Sequence, residues 1–179
     1  MWSTAQTGAR RHQRRTAATG LTLILTGVYT PSVFTQDQRS IRIAQTQAEL
    51  IALMRLRIRV FVLEQGVPIA LELDPFDADA RQFIVQVGDE YVATARLVTQ
   101  AARGRVGRMA VDRRFRHQGI GRALIESIIL TAREQGLTTL ELHAQEHAVV
   151  FYEKMGFETV GEAFVEASIP HWSMFRGLD

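Results

Sequence analysis

The stretch that decides the fold is Arg116-His117-Gln118-Gly119-Ile120-Gly121, a glycine-containing turn between two regular segments. Residues 106–111 before it (VGRMAV) have the composition of a short strand. Residues 122–135 after it carry apolar side chains at helical spacing, at Leu124, Ile125, Ile128, Ile129 and Ala132. The pattern predicts a strand that passes through a glycine loop into a helix.

Such a loop has the properties of an anion site. The first N–H groups of a helix have no partner in their own helix, and the dipole makes that end positive. Gly119 and Gly121 allow the backbone to approach a ligand closely, and Arg116 and Arg122 add positive charge at the two edges. We therefore interpret residues 116–122 as a phosphate-binding loop.

The loop has three other possible interpretations. Two glycines between a strand and a helix can form a tight turn without a ligand. A dinucleotide fingerprint requires glycine at the third position of GxGxxG, where this chain has Leu124, and Glu141 lies inside the next predicted strand instead of at its end. A Walker loop requires Gly-Lys-Ser/Thr, where this chain has Gly-Arg-Ala. Neither nucleotide motif fits.

The motif Arg-x-x-Gly-x-Gly between strand and helix resembles the pyrophosphate loop of the GNAT superfamily of acyl-CoA N-acyltransferases. Some thirty residues later, residues 151–157 (FYEKMGF) resemble the helix-to-strand signature of the same superfamily. Three further segments resemble its bacterial ElaA-like branch: residues 60–65 (VFVLEQ), 72–74 (ELD) and 168–171 (SIPH). Together the similarity covers roughly residues 41–177.

The resemblance implies an α/β fold: a single GNAT-like domain, with a mixed, mostly antiparallel sheet splayed at its central strands and flanked by helices. It also implies acetyl-CoA as co-substrate. The pantetheine arm would insert into the splay and pair with the backbone of Met109, Ala110 and Val111. The residues expected to bind the cofactor are Met109, Ala110, Val111, Arg116, His117, Gln118, Gly119, Ile120, Gly121, Arg122 and Tyr152.

Acyl transfer to an amine requires a base, a polarised thioester carbonyl and a proton for the leaving thiolate. By resemblance, Tyr152 is the candidate acid, and the backbone N–H of Met109 or Val111 is the candidate polarising group. Four residues remain open as the base, Glu64, Glu72, His143 and His171, and loss of the amine proton to water is a further alternative. Residues 64–79 are acidic and, in the family, overhang the acceptor site; we expect Glu64 and Glu72 to attract and orient a cationic amine. A solvated acidic loop is the alternative.

Composition narrows the function. The 179 residues, 46% of them hydrophobic, suit one compact domain. The absence of cysteine excludes an acyl-cysteine mechanism and disulfides. We expect no metal site, because His143 and His147 straddle a predicted strand end.

Four of the 21 basic side chains and no acidic ones lie in residues 1–36, so residues 37–179 hold 17 basic and 19 acidic side chains. This balance gives little support to nucleic-acid binding.

The N-terminal segment, residues 1–38, is predicted to be disordered or targeting-like and to precede a GNAT domain over residues 39–179. Four arginines and a Thr-rich apolar run resemble a secretory or transit peptide, but no clear cleavage site follows. Untranslated or non-functional sequence before a later start is the third interpretation. The apolar run is too short to span a membrane. We expect a cytoplasmic protein without a membrane partner, and targeting remains open.

Along the domain, the predicted order is strand, helix, acidic loop, hairpin, strand, helix, strand, helix and closing strands. Thr46 and Glu49 have capping-box spacing, which predicts a helix start. Residues 55–63 fit strand alternation as well as helix, and we follow the helix. Residues 103–105 are predicted to form a turn, residues 146–155 a helix, and residues 172–175 the last strand.

The leading hypothesis is an N-acetyltransferase that transfers acetyl from acetyl-CoA to a primary amine of a small molecule, by direct attack in a ternary complex. A non-catalytic acyl-CoA-binding or sensing module and a protein N-acetyltransferase are the alternatives. The amine and the acyl-chain preference remain undetermined, and both a monomer and a homodimer are compatible with the sequence.

Overall fold

A computed structural model describes residues 39–178 of the chain. These residues belong to one compact unit. The predictions made for residues 1–38 fall outside the described range. No helix in residues 39–178 is long and apolar enough to cross a membrane.

The described residues form a seven-stranded sheet with the order β1-β2-β3-β4-β5-β7-β6. Every neighbouring pair is antiparallel except β4 and β5, which are parallel. The α/β fold with a mixed, mostly antiparallel sheet is therefore confirmed. The strands are β1 (Arg39–Ile43), β2 (Arg81–Val87), β3 (Glu90–Gln100), β4 (Arg103–Val111), β5 (Thr139–Gln145), β6 (Glu158–Glu166) and β7 (Ile169–Gly177).

Helices connect and cover the strands. They are α1 (Gln47–Arg57), which continues as a π-helix (Ile58–Glu64), α2 (Ile69–Glu72), α3 (Ile120–Glu134) and α4 (Val149–Glu153). Three 3₁₀ turns lie at Pro75–Asp77, Arg113–Phe115 and Glu146–Ala148.

Helix α1 begins as its sequence predicts. The Thr46 hydroxyl accepts from the Glu49 N–H, and the Glu49 side chain accepts from the Thr46 N–H, which forms the capping box. The helix prediction for residues 55–63 is also confirmed, with a change to π geometry at Ile58. Of the three alternating arginines, only Arg57 is buried, in ion pairs with Glu72 and Asp77, and Arg55 and Arg59 are exposed on the helical segment.

The sheet opens at its centre. Strands β4 and β5 pair only over residues 103–106 and 139–142, although both strands continue beyond those residues. The ladder between β3 and β4 is also irregular between Thr94 and Arg96, and Arg108 has a left-handed backbone with φ of 51°. Met109, Ala110 and Val111 therefore lie past the last β4–β5 pair, along the open part of the sheet.

Helix α3 fixes the loop against the core. Its buried face consists of Ile120, Leu124, Ile125, Ile128, Ile129 and Ala132. Gly119, with φ of 76°, precedes the first turn. At the other end Gly136 has φ of 70°, and the N–H of Leu137 donates to the carbonyl of Ala132, as in a Schellman cap. One packed helix thus sets the position of the glycine loop.

Four predicted boundaries were wrong. Helix α3 begins at Ile120 and not at residue 122, so that Gly121 lies in its first turn. Residues 103–105 belong to β4, where they pair with β5, instead of forming a turn. Residues 146–155 divide into a 3₁₀ turn, a short α-helix and a turn. Strand β7 begins at Ile169, because it pairs with β6 from its first residue, and His171 therefore lies inside a strand.

Candidate active site

A cavity of about 1120 Å³ opens between the splayed strands. Its lining includes Met109, Ala110, Val111, Arg116, His117, Gly119, Ile120, Gly121, Arg122 and Tyr152, which are ten of the eleven predicted cofactor residues. Gln118 is the exception, and its side-chain amide donates to the Arg114 carbonyl at 3.0 Å. The structure therefore brings nearly the whole predicted set to one cavity.

The glycine loop presents its backbone to this cavity. The first hydrogen bond of α3 runs from the Ala123 N–H to the Gly119 carbonyl, at 3.0 Å. The N–H groups that precede Ala123 have no acceptor within the helix and lie at its positive end. A Cβ at Gly121 would lie 3.1 Å from Met109 Cε and 3.5 Å from Phe151 Cζ. A side chain at Gly121 would therefore fill the space between the loop and β4, which the phosphate-loop interpretation requires to be open.

Glu64 lies beside this loop. Its two carboxylate oxygens accept from Arg116 Nη1 and Nη2 at 2.5 and 2.8 Å. The hydrogen bond from Arg116 outweighs the effect of burial and lowers the pKa of Glu64. The carboxylate is ionised and both of its oxygens are already bound by Arg116, so the pairing counts against Glu64 as the base. It also partly neutralises a cation that was expected to bind phosphate.

The backbone of Val111 has one group free to point into the splay. The N–H of Asp112 donates to the Val92 carbonyl at 2.8 Å. Bonded and non-bonded pairs alternate along an antiparallel ladder, so the Val111 N–H points away from β3. The Val111 carbonyl accepts from Arg116 Nε at 3.0 Å. Val111 can thus donate toward the cavity, while its carbonyl is already bound.

Tyr152 is held at the cavity wall by α4. Its hydroxyl lies 3.3 Å from Met109 Sδ, and its ring packs edge-on against Phe151 and Phe157. Burial raises the pKa of Tyr152. The phenol therefore keeps its proton at neutral pH and is available as a donor.

Glu72 has a different environment from the one predicted. Its side chain is 2% exposed and accepts from Arg57 Nε at 2.5 Å, and Arg57 is completely buried. Arg108 Nε lies 3.2 Å from the second oxygen of Glu72. Two cations therefore hold this carboxylate in place. Its assignment as a base stays a prediction, and the pairing counts against it.

The pairs around Glu72 form a closed network of three arginines and three acids. Asp77 accepts from Arg57 at 2.7 Å and from Arg96 at 3.0 Å. Asp74 accepts from Arg96 at 2.7 Å and from Arg108 at 2.8 Å. Burial alone would raise the pKa of Asp77, but the hydrogen bonds and charges of its arginines lower it well below its usual range. The formal charges of this network sum to zero.

Arg108 joins the network to the backbone of the overhanging segment. Its guanidinium donates to the carbonyls of Leu71 at 2.8 Å and Glu72 at 3.0 Å. Arg108 lies on β4 directly before Met109. The acidic segment is therefore fastened to the strand that borders the splay.

His171 faces the cavity from β7 and is 8% exposed. Its Nδ1 lies 2.8 Å from the carbonyl oxygen of Ile169. A carbonyl only accepts, so Nδ1 carries the proton and Nε2 keeps the lone pair of the neutral ring. His171 also stacks against Phe164, with the ring centroids 6.0 Å apart. The ring is thus held in the tautomer that a base requires.

His143 also faces the cavity, and not the core. Its Nδ1 lies 2.8 Å from Glu166 Oε2 and 3.3 Å from Arg105 Nη2. The shorter contact places the Nδ1 proton toward the carboxylate. Burial would raise the pKa of Glu166, but the hydrogen bond from His143 and the neighbouring charges lower it. His143 and His171 lie on adjacent strands, so either could reach an amine in this part of the cavity.

Sequence reasoning missed Arg57, Arg96, Arg108 and Glu166. Alternation of Arg55, Arg57 and Arg59 with apolar residues was visible, but it does not tell which arginine is buried. Within residues 39–178, no group of three or more His, Cys, Asp or Glu side chains could hold a metal ion.

The splayed sheet, the glycine loop at a helix start and the buried tyrosine define the class of acyl-CoA-dependent N-acyltransferases. The sequence model of the acetyltransferase (GNAT) domain matches residues 44–177. The chain belongs to the GNAT acetyltransferase family, and is thus an acyltransferase whose family uses acyl-CoA as co-substrate.

Individual relatives and solved structures support the assignment to this family. The chain is 30% identical over 135 residues to the uncharacterized N-acetyltransferase YjcF of Bacillus subtilis, covering 75% of this chain and 96% of that protein. It resembles the crystal structure of Escherichia coli ElaA with a TM-score of 0.69 and 29% identity, over 77% of this chain and 97% of that one. An acyl-CoA N-acyltransferase from Pseudomonas aeruginosa is similar at a TM-score of 0.69 and 32% identity, with the same coverage. The predicted resemblance to the ElaA-like branch is confirmed.

Proposed function

We propose that this protein transfers an acetyl group from acetyl-CoA to a primary amine of a small molecule, by direct attack of the amine in a ternary complex. The observation that carries the proposal is the single cavity that joins the glycine loop, the open edge of β4 and Tyr152. A cysteine-bound intermediate is excluded, because the chain contains no cysteine.

The co-substrate would lie along the splay. The N–H groups at the start of α3 would hold the pyrophosphate, and the pantetheine arm would follow β4 past Met109. The Val111 N–H would donate to the thioester oxygen. A donor fixed in advance stabilises the negative charge that develops on this oxygen during attack.

The proton transfers use Tyr152 and His171. The amine nitrogen forms the C–N bond while the C–S bond breaks, and the departing thiolate takes the proton of the Tyr152 hydroxyl. The amine proton goes to Nε2 of His171, which keeps a free lone pair because Nδ1 donates to Ile169. We prefer His171 to Glu64 and Glu72, because both carboxylates are occupied by arginines. His143 is the second candidate.

Calorimetric titration of the full chain with acetyl-CoA, NAD and ATP tests the first step. We expect selective binding of acetyl-CoA that weakens at least tenfold in Gly121→Val. Gly177→Val is the matched control, because a Cβ at Gly177 would meet no atom within 4 Å. Equal binding by the two variants would contradict the assignment of the loop.

Turnover is measured as thiol release with a panel of small amines, and the acetylated product is identified by mass spectrometry. Binding of acetyl-CoA without turnover on any amine would favour the non-catalytic sensing module. Turnover only on peptide N-termini would favour a protein N-acetyltransferase instead.

A further inference from the structure

The segment that overhangs the cavity is unusually apolar where it meets solvent. Five large apolar side chains lie exposed within fourteen positions: Leu63 (76%), Ile69 (54%), Leu71 (55%), Leu73 (49%) and Phe76 (58%). Leu71 and Phe76 line the cavity, together with Val67 of the same segment. Concentrated exposed apolar surface at a cavity generally marks a binding surface.

The position of this segment places its apolar side chains near the predicted thioester. Arg108, one residue before Met109, donates to the Leu71 carbonyl at 2.8 Å. At the other side of the splay, Gln145 at the end of β5 donates to the Gln65 side chain at 3.0 Å. The segment is therefore anchored to both splayed strands. An amine bound between them would be in contact with this apolar wall.

The charges of the same wall are already neutralised. Glu72 and Asp74 are the acids of this segment that line the cavity, and each is paired with two arginines. A second cationic centre on the substrate would have to compete for these carboxylates with Arg57, which is buried, and with Arg96 and Arg108, which are largely buried. Displacing one partner from a buried pair is strongly unfavourable, since it leaves a buried charge unpaired.

We propose that the acceptor is a monoamine that carries an apolar or aromatic group, and that diamines and polyamines are poor substrates. This inference rests on the proposed acetyl transfer. It also replaces the expectation that the acidic segment attracts a cationic amine. The apolar group lies against Leu71 and Phe76, and the amine points toward His171.

The test compares kcat/KM for propylamine, pentylamine, heptylamine and 2-phenylethylamine with that for 1,5-diaminopentane and spermidine, all with acetyl-CoA and wild-type full chain. Each methylene group that becomes buried should raise kcat/KM roughly fourfold until the cavity is filled. Pentylamine and 1,5-diaminopentane share a five-carbon chain and differ by the second amino group, so their ratio reports the effect of that added group. We expect it to favour pentylamine at least tenfold.

Two variants identify the wall. Leu71→Ser and Phe76→Ser should flatten the dependence on chain length and leave the affinity for acetyl-CoA unchanged. Leu63→Ser is the matched control. Leu63 is more exposed than Leu71 and Phe76 and is not among the described residues that line the cavity. Equal effects in all three variants would overturn the assignment of the wall.

Failure of this inference differs from failure of the proposed function. Preference for 1,5-diaminopentane, spermidine or peptides would overturn the apolar acceptor and retain acetyl transfer. Acetyl-CoA binding without turnover on any amine or peptide would overturn the proposed function and, with it, the acceptor class.

Discussion

Replacement of Glu72 by glutamine distinguishes two roles of this carboxylate, a structural ion pair and a catalytic base. Glutamine keeps the shape but removes the charge that faces Arg57 at 2.5 Å and Arg108 at 3.2 Å. Breaking a buried pair by removing one partner costs about 3–5 kcal/mol. Arg57 still keeps Asp77 at 2.7 Å, so we expect the lower end, about 3 kcal/mol.

Denaturation of the full chain by urea and by heat measures this change. For a chain of this size, a loss of about 3 kcal/mol corresponds to a decrease in Tm of roughly 6–12 °C. The matched control is Glu134→Gln, an exposed acid near the end of α3, which should change stability by less than about 0.5 kcal/mol.

The kinetics of the same Glu72 variant test whether Glu72 is the catalytic base. We expect kcat to fall less than tenfold and KM for the amine to rise, because the overhanging segment loosens. Unchanged stability together with a loss of kcat greater than a hundredfold would refute this reasoning and make Glu72 the base.

Four further results follow from the site. Tyr152→Phe should lower kcat by about a hundredfold or more without weakening acetyl-CoA binding, as expected for loss of an acid; an unchanged kcat at every pH would remove Tyr152 from that role. Glu64→Gln should lower KM for acetyl-CoA and preserve kcat, because the positive charge of Arg116 beside the loop is then no longer neutralised. A large loss of kcat would instead make Glu64 the base. His171→Gln should lower kcat/KM about a hundredfold without weakening acetyl-CoA binding, as expected for loss of a base; if only His143→Gln does so, His143 is the base. Stability should decrease as pH falls below about 3.8, the ordinary pKa of an aspartate, since the pKa of Asp77 is lowered in the folded protein. In acid titrations of urea unfolding, Asp77→Asn should show a smaller decrease over this range, and an equal decrease would exclude Asp77 as its source.

Local features of the sequence predicted the local features of the structure. The Thr46 and Glu49 capping box depends on residues three apart, and the glycine loop before α3 was visible in its motif, although the helix begins two residues earlier than predicted. Two of the four wrong boundaries, those of β4 and β7, were decided by pairing with a distant strand. Strand β7 starts at Ile169 because β6 pairs there, and no signal near Ile169 indicates that partner.

The ion-pair partners were the part of the site that could not be predicted from the sequence. Glu64 and Arg116 are 52 positions apart, and Arg57 and Glu72 are 15 apart. A carboxylate in an acidic segment is equally compatible with solvent, a cationic ligand or a buried arginine until the fold is known. The chemical type of each side chain was therefore predictable, and its partner was not.

The pairing changes what the acidic segment can contribute to specificity. A set of free carboxylates would select substrates by positive charge, and its effect would weaken with salt. In this protein three arginines neutralise Glu72, Asp74 and Asp77, and the ion pairs instead fix the segment against β4. Selection would then depend on the surface that the fixed segment presents, which is apolar at Leu71 and Phe76. The charges would thus act on specificity indirectly, because they hold an apolar wall in place.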